Sequence, residues 1–140
     1  MEPTNSALTQ LLQYLIDQEI PEVARIYDLI PTVEMRAKIS LNKYLGKPIL
    51  TPLQSKTYSN GSKYYGELNE NDKPHGRGIR ILNDGYIHIG YFEKDMESTG
   101  NYITIYSDCR FEVGEFYFKD RVKWERGKCY FGAGTVRQYD

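Results

Sequence analysis

The sequence predicts an α+β fold, in which a small helical segment precedes an antiparallel β-meander of about three hairpin repeats of 24 residues each. Apolar residues recur at helical spacing over residues 6–45. From residue 61 onward, a pattern of glycine, aromatic and apolar residues recurs every 24 positions. Together the two patterns predict a helical segment at 1–47, a linker at 48–56 and a repeat sheet at 57–140.

The first predicted helix carries one apolar stripe and follows a capping residue. Asn5 or Ser6 supplies the side-chain oxygen that caps the first turn. Residues 19–21, which include a proline, end the helix. The stripe consists of Leu8, Leu11, Leu12, Leu15 and Ile16.

Two further helices are predicted before the linker. The second covers residues 22–29, and its apolar side consists of Val23, Ile26, Tyr27 and Ile30. Thr32 caps the third helix, which runs to Tyr44 or Leu45 and is closed by Gly46 and Pro48.

The helical segment is expected either to protect the sheet or to reach a partner. A single-layer sheet buries little apolar surface by itself, so this segment or another protein must cover one face or end. The helices either cap the open first edge of the sheet or dock their apolar stripe onto a partner helix.

Each repeat is predicted to form a hairpin. Equal eight-residue steps of turn-forming residues, at 68–76 and 92–100, separate outgoing and returning strands. Asn60-Gly61 and Asp84-Gly85 are predicted to form two-residue hairpin turns, in which both central residues have positive φ. Asp108 keeps the same spacing in the third repeat.

Glycines mark equivalent positions of the repeats. They are expected to leave slots in the sheet surface over which neighbouring tyrosine or phenylalanine rings lie. The glycines assigned this structural role are Gly61, Gly66, Gly76, Gly78, Gly85, Gly90, Gly100 and Gly114.

The first repeat reads G-x-x-Y-x-G-x-Φ, where Φ is apolar, followed by a polar turn and H-G-x-G. The matching residues are Tyr64, Gly66, Leu68, His75, Gly76 and Gly78. On these residues, the region from about 56 to 140 resembles the MORN (membrane occupation and recognition nexus) repeat family. Later copies differ: His88 replaces the tyrosine, Tyr102 replaces the second glycine of G-x-G, and Cys109 replaces the first glycine of the third repeat.

The resemblance implies a scaffold. Such a sheet is used for protein–protein contact, homodimerisation or attachment near membranes and cytoskeletal structures. MORN repeats also occur beside lipid kinase and lysine methyltransferase modules, where catalysis lies in a separate domain. A chain of 140 residues leaves no room for that domain, so the resemblance also leaves open a module that positions substrate for a separate enzyme.

The third repeat contains a longer hairpin. Its G-x-G candidate, Gly132 to Gly134, lies sixteen residues after Phe116, where the earlier repeats need eight. The hairpin at 119–130 is basic and contains Trp124, the only tryptophan. It is either a partner-contact element or a strand extension with Trp124 folded back on the sheet.

The predicted partner-binding residues combine this hairpin with aromatic residues of the sheet. They are Trp124, Lys119, Arg121, Lys123, Arg126, Lys128, Tyr64, Tyr65, Tyr91 and Phe116. Tyrosine suits an interface because it covers a large area at little entropic cost and offers a hydroxyl. Alternatively, the basic residues of 119–128 bind phosphoinositide headgroups and make the chain a peripheral membrane tether.

No catalytic, cofactor or metal site is predicted. His75 and His88 have no Cys, Asp or Glu at ligand spacing. Gly76 and Gly78 lack the third glycine of a dinucleotide loop, and no Walker-type lysine follows a glycine cluster. The pairing of Cys109 with Cys129 is left open, although an intracellular chain favours free thiols.

Composition limits the class of partner. The net charge of −1 argues against nucleic acid and against bulk attraction to an anionic membrane. No basic residue precedes Arg25 and no secretory signal is recognisable, which predicts an intracellular protein, cytoplasmic or associated with an organelle or the cytoskeleton. We therefore expect a non-catalytic scaffold or accessory subunit that binds other protein subunits, with homodimerisation and weak lipid contact left open.

Overall fold

Three helices and nine strands make up the described part of the chain. The computed structural model describes residues 6–93, 96–97, 100–108, 110–119, 122–131 and 136–139. Residues 96–97, 118–119, 123–124 and 139 are described by their backbone alone.

The helices precede all the strands in the chain. The helices are α1 (Ala7–Asp17), α2 (Glu22–Ala37) and α3 (Leu41–Tyr44). The strands are β1 (Gln54–Thr57), β2 (Lys63–Leu68), β3 (Pro74–Ile81), β4 (Ile87–Glu93), β5 (Met96–Glu97), β6 (Gly100–Ile105), β7 (Phe111–Lys119), β8 (Val122–Tyr130) and β9 (Val136–Tyr139).

The strands form one antiparallel sheet in chain order. Every neighbouring pair is antiparallel, from β1–β2 to β8–β9. The two-residue strand β5 pairs with the end of β4, and β6 pairs with the beginning of β4. An α+β fold with a short helical segment and an antiparallel meander is therefore confirmed.

Helix α1 begins at the predicted cap and buries most of the predicted stripe. The Ser6 side chain is the cap, because its Oγ accepts a hydrogen bond from the Thr9 N–H at 3.1 Å. The four leucines of the stripe are buried, whereas Ile16 at its end is 42% exposed. The helical period of the sequence therefore located the buried side of α1.

Helix α2 is longer than predicted. The predicted helix start at Thr32 is wrong, because α2 continues through Pro31 to Ala37. A proline inside a helix cannot donate a backbone hydrogen bond, which is the reason for predicting a break there. Burial of Ile26 and Val33 on either side of Pro31 holds both halves of the helix against the sheet. The helix ends at its C-cap residue, Lys38, whose φ is +59°.

Three fully described hairpin loops share one geometry. The loops at 59–61, 70–72 and 83–85 each contain three residues between a pair of backbone hydrogen bonds. The last residue of each loop has positive φ: +91° at Gly61, +59° at Asp72 and +89° at Gly85. This is a type I turn followed by one left-handed residue, the common three-residue hairpin loop.

The prediction of two-residue turns at Asn60-Gly61 and Asp84-Gly85 is therefore wrong. Neither Asn60 nor Asp84 has positive φ. Instead, the side chain of each accepts a hydrogen bond from the backbone N–H two residues ahead, at 2.9 Å for Asn60 and 3.0 Å for Asp84. Asp108 makes the equivalent bond to the Arg110 N–H at 3.1 Å. Asn and Asp are thus favoured here by their side-chain acceptors.

The hydrophobic core lies between the helices and one face of the sheet, here called the covered face. Six isoleucines from β3, β4 and β6 form its floor, and none is more than 6% exposed: Ile79, Ile81, Ile87, Ile89, Ile103 and Ile105. Leu11, Leu15, Ile26 and Val33 belong to the same apolar cluster. At about 1.5–3 kcal/mol for each fully buried aliphatic side chain, this layer is a major source of stability.

Polar contacts fix the helical layer across the covered face. Arg25 of α2 donates to the Gly85 carbonyl at 2.9 Å, and Arg36 donates to the Phe131 carbonyl at 2.8 Å. Asn101 of β6 donates to the Tyr44 carbonyl at 2.6 Å. The expectation of a cap on the first sheet edge is corrected, because the helices lie over a face. Their apolar stripe packs on the chain's own sheet, which accounts for it without a partner helix.

Candidate partner-binding face

The sheet face opposite the helices, here called the open face, is crossed by a row of glycines. Strand register pairs Gly66 with Gly78, Gly78 with Gly90, and Gly114 with Gly127. The predicted slots are present: a Cβ added at Gly78 would lie 2.4 Å from Cζ of Tyr64. Sequence reasoning did not single out Gly127, and the G-x-G candidate that it chose, Gly132 to Gly134, lies outside the described residues.

A continuous series of ring contacts runs across the open face. The Tyr64 and Phe92 ring centroids lie 5.2 Å apart, and Phe92 and His88 lie 5.4 Å apart. His88 stacks on Tyr102 at 5.6 Å, and Tyr102 stacks on Phe116 at 4.5 Å. We call these five side chains the ring row. Its members come from β2, β4, β6 and β7, so the row connects strands far apart in the sequence.

Two carboxylates meet at the hydroxyl of Tyr102. The Tyr102 hydroxyl lies 3.0 Å from Oε2 of Glu112 and 3.0 Å from Oε2 of Glu125. The hydroxyl of Tyr106 also donates a hydrogen bond to Glu112. Burial, together with this bond, raises the pKa of Tyr106 above its usual value. These residues form a polar centre beside the ring row.

A cavity of about 390 Å³ lies beside this polar centre. We call it the open-face groove. Its walls include Arg80, Tyr86, Tyr106, Glu112, Phe116 and Glu125. A second cavity of about 340 Å³ shares Tyr106, Glu112 and Glu125 with the first. The groove therefore presents aromatic rings and carboxylates together.

Of the four predicted aromatic contact residues in the sheet, Phe116 lines the groove. The other three take part in the chain's own packing, and their role in partner binding stays a prediction. Tyr64, at one end of the ring row, is fully buried, and its hydroxyl donates to the Glu67 carbonyl at 2.8 Å. Tyr65 is buried in the main core. Tyr91 is half-buried and donates to the Leu45 carbonyl at 3.1 Å, facing the helical layer.

The hairpin at 119–130 is only partly described. Strands β7 and β8 each contain nine residues, so the hairpin that they form is long. Arg126 pairs with Glu115 at 3.0 Å and lies 5.0 Å from the Tyr117 ring centroid. Lys128 is exposed. Four predicted contacts, the side chains of Lys119, Lys123 and Trp124 and all of Arg121, lie outside the description, so their role stays a prediction.

The described residues include the thiol of Cys129 and the imidazole of His88. Cys129 is buried, and burial raises the pKa of its thiol, whereas Cys109 lies outside the described residues. His88 Nδ1 lies 3.2 Å from Oγ1 of Thr104. Within the described residues, no three His, Cys, Asp or Glu side chains come together as candidate metal ligands.

No protein-family model matches this chain, and no curated protein matches it. Among the described helices, none has the length and apolar character needed to cross a membrane.

Proposed function

We propose that this chain is a non-catalytic protein-interaction module, a scaffold or accessory subunit that binds another protein through its open face. The observation that carries the proposal is the different use of the two sheet faces. Helices α1 to α3 pack on the covered face, whereas the open face retains a cavity of about 390 Å³ between rings and carboxylates. Interfaces are enriched in such aromatic side chains, which combine apolar area with a polar group.

The close packing of the ring row supports the proposal. Tyr102 is fully buried and stacks on both His88 and Phe116, so its side chain is held in place by the chain's own packing. A preorganised surface loses less side-chain entropy on binding than a mobile one. MORN repeats serve as protein scaffolds, and the resemblance of this chain to them supports the same proposal.

The experiment compares photo-crosslinking from the two sides of the full chain. One variant carries a photo-crosslinking residue in place of Phe116 in the groove wall. The matched control carries it in place of Tyr27, which is 45% exposed on α2. We expect one protein to crosslink from position 116 but not from position 27, and to form a complex of defined stoichiometry with the chain after purification.

Two outcomes would contradict the proposal. Equal crosslinking from positions 27 and 116 would indicate general stickiness of the chain. Retention on phosphoinositide vesicles at physiological salt, without a crosslink at 116, would support the membrane tether instead. A crosslinked partner whose enzymatic activity changes on binding would specify the module as a substrate-positioning subunit.

A further inference from the structure

We infer that the outer edge of β1 binds an extended segment of a partner protein, which adds a strand to the sheet through main-chain hydrogen bonds. This edge is a different surface from the open face, so the outcome of its test does not depend on the proposed function. The observations that carry the inference are the outward backbone groups of β1, a cavity beside α1 and the position of Lys56.

The backbone of β1 offers hydrogen-bonding groups on its outer side. It is the first strand in the sheet order, and no strand of the described chain pairs with its outer edge. The Tyr58 N–H donates to the Ser62 carbonyl at 2.8 Å and closes the β1–β2 hairpin. Because bonded and non-bonded pairs alternate along an antiparallel ladder, Lys56 bonds to β2, and the N–H and C=O groups of Ser55 and Thr57 face outward. An added strand can therefore bond to both residues.

The helical layer ends between β2 and β1. Strand register places Ser55 opposite Tyr65, so both side chains lie on the covered side of the sheet. Tyr65 is buried and its ring centroid lies 6.3 Å from that of Tyr14 in α1, whereas Ser55 is exposed. A cavity of about 450 Å³ lies between α1 and Leu53, the residue before β1. A strand added to β1 would therefore place alternate side chains beside this cavity.

The walls of this cavity favour an apolar side chain. Its polar groups already bond within the chain: the Gln10 amide makes two bonds to main chain, at 2.9 and 2.6 Å, and Gln13 donates to Asp17 at 2.9 Å. Leu53 and Tyr14 are half-buried and pack against the main core, so they present apolar surface to the cavity. Burying this surface under a valine-sized side chain is favourable.

Lys56 selects the charge of the added segment and opposes a second copy of the chain. Its Nζ donates to the Asp72 carbonyl at 2.9 Å and lies 5.6 Å from the Tyr58 ring centroid, so the side chain does not cross the outer edge. Symmetric pairing of two β1 strands, with Ser55 bonded to Thr57 of the other copy, would place two Lys56 residues directly opposite each other. Like charges in that position are destabilising, whereas an acidic residue there is favourable. The occupant is therefore a partner segment in which an acidic residue lies between apolar ones.

The test uses the isotope-labelled full chain and a soluble peptide in which valine alternates with threonine and one central threonine is replaced by glutamate. One matched peptide carries lysine instead of the glutamate. Another has two consecutive N-methylated amides at its centre, which block both of its edges. Amide hydrogen exchange in nuclear magnetic resonance spectra reports the bonds that form. At saturation we expect exchange of the Ser55 and Thr57 amides to slow at least about tenfold, and that of the Lys56 amide, which already bonds to β2, to change far less.

Substitutions at β1 separate backbone bonding from side-chain contact. Ser55→Pro removes an outward N–H without removing a bond to β2, and proline is tolerated in such an edge position. We expect it to weaken binding of the glutamate peptide at least about fivefold, and the matched control Ser55→Ala to leave binding unchanged. Lys56→Glu should reverse the preference between the glutamate and lysine peptides. Circular dichroism verifies that each variant is folded, and the N-methylated peptide decides the matter independently if Ser55→Pro is not.

Four results would overturn the inference. The first is binding of the N-methylated peptide as tight as that of the unmodified one. The second is equal slowing of exchange at Ser55 and Lys56, and the third is no binding of any peptide at millimolar concentration. The fourth is protection of the Ser55 and Thr57 amides that rises with the concentration of the chain alone, which would assign the edge to a second copy. The crosslink at position 116 reports on the proposed function separately from all four.

Discussion

Two residues that depart from the repeat pattern, His88 and Tyr102, connect the ring row of the open face. His88 stands where the first repeat has a tyrosine, and Tyr102 stands where it has a glycine. Their rings stack 5.6 Å apart, and Tyr102 also stacks on Phe116. Because a ring at position 102 lies over Gly114, the departure at one strand is accommodated by the glycine on the next.

At the same scale, we expect Gly78→Ala to lower the free energy of unfolding by about 1–3 kcal/mol. The new Cβ would lie 2.2 Å from the hydroxyl oxygen of Tyr64 and 2.4 Å from its Cζ. Tyr64 is fully buried and cannot move aside without disturbing the ring row. Urea unfolding followed by circular dichroism measures the change.

A double-mutant cycle identifies the cause. If steric overlap with the ring is responsible, Tyr64→Leu in the same chain should recover part of the cost of Gly78→Ala. Gly61→Ala is the control, because Gly61 has a φ of +91° but its nearest non-neighbouring atom would be 3.8 Å away. The loss of stability in Gly61→Ala comes from the backbone conformation and should be additive with the loss in Tyr64→Leu. Purely additive costs in both pairs would contradict the ring-slot explanation.

At the scale of elements, tertiary packing overrides a local signal in α2. Pro31 is exposed, and the helix continues past it because Ile26 and Val33, which flank the proline, are buried against the sheet. The hairpins show the opposite relation. The side chains of Asn60, Asp84 and Asp108 each accept a hydrogen bond from the backbone N–H only two residues ahead. The loops form at the positions that the sequence predicts.

We expect Pro31→Ala to raise the free energy of unfolding by about 1–2 kcal/mol. Alanine restores the hydrogen bond that proline cannot donate inside α2. The gain is reduced because alanine also leaves the unfolded chain more flexible. Chemical denaturation measures the change. Met35→Ala is the control, because Met35 is 70% exposed one turn later and its loss should change stability by less than about 0.5 kcal/mol. A clear loss of stability in Pro31→Ala would show that the fold requires the proline.

At the scale of the whole molecule, tyrosines whose hydroxyl pKa values are raised lie on both sides of the sheet. Tyr44 lies on the helical side and donates to the Gly114 carbonyl, whereas Tyr64 and Tyr106 belong to the open face. Burial is the main cause that raises the pKa of each of these hydroxyls above its usual value. The folded chain therefore favours the neutral form of these tyrosines.

This linkage predicts unfolding in alkali. Because their folded pKa values are raised, these tyrosines contribute stability that is present below about pH 10, where unfolded tyrosine is neutral, and is lost as the pH rises further. We expect their phenolate absorbance to increase together with the loss of the circular dichroism signal. Tyr44→Phe should make stability fall less steeply with pH above this point. Complete ionisation of all tyrosines in a chain with an unchanged circular dichroism spectrum would contradict the prediction.

The part of the fold that the sequence predicted depends on local spacing. The Ser6 cap, the leucine stripe of α1, the hairpin positions and most of the glycine row all follow from residues a few positions apart. Gly66, Gly78 and Gly90 are twelve residues apart, and Gly114 follows twenty-four residues later, which was available as a signal for strand register. Gly127 comes one residue after the next twelve-residue step and was missed. The boundary of α2 could not be predicted, because distant packing decides it.

The amino-acid sequence by itself determined the α+β class and the antiparallel meander. Only the tertiary structure decided which face the helices cover, and with it that Tyr64, Tyr65 and Tyr91 serve the chain's own packing. It also brought Glu112 and Glu125 to one hydroxyl, although Glu125 is 23 residues from Tyr102 in the chain. The physical reason is register: strand pairing selects which residues of distant segments share a face, and burial then decides which of them are left for a partner.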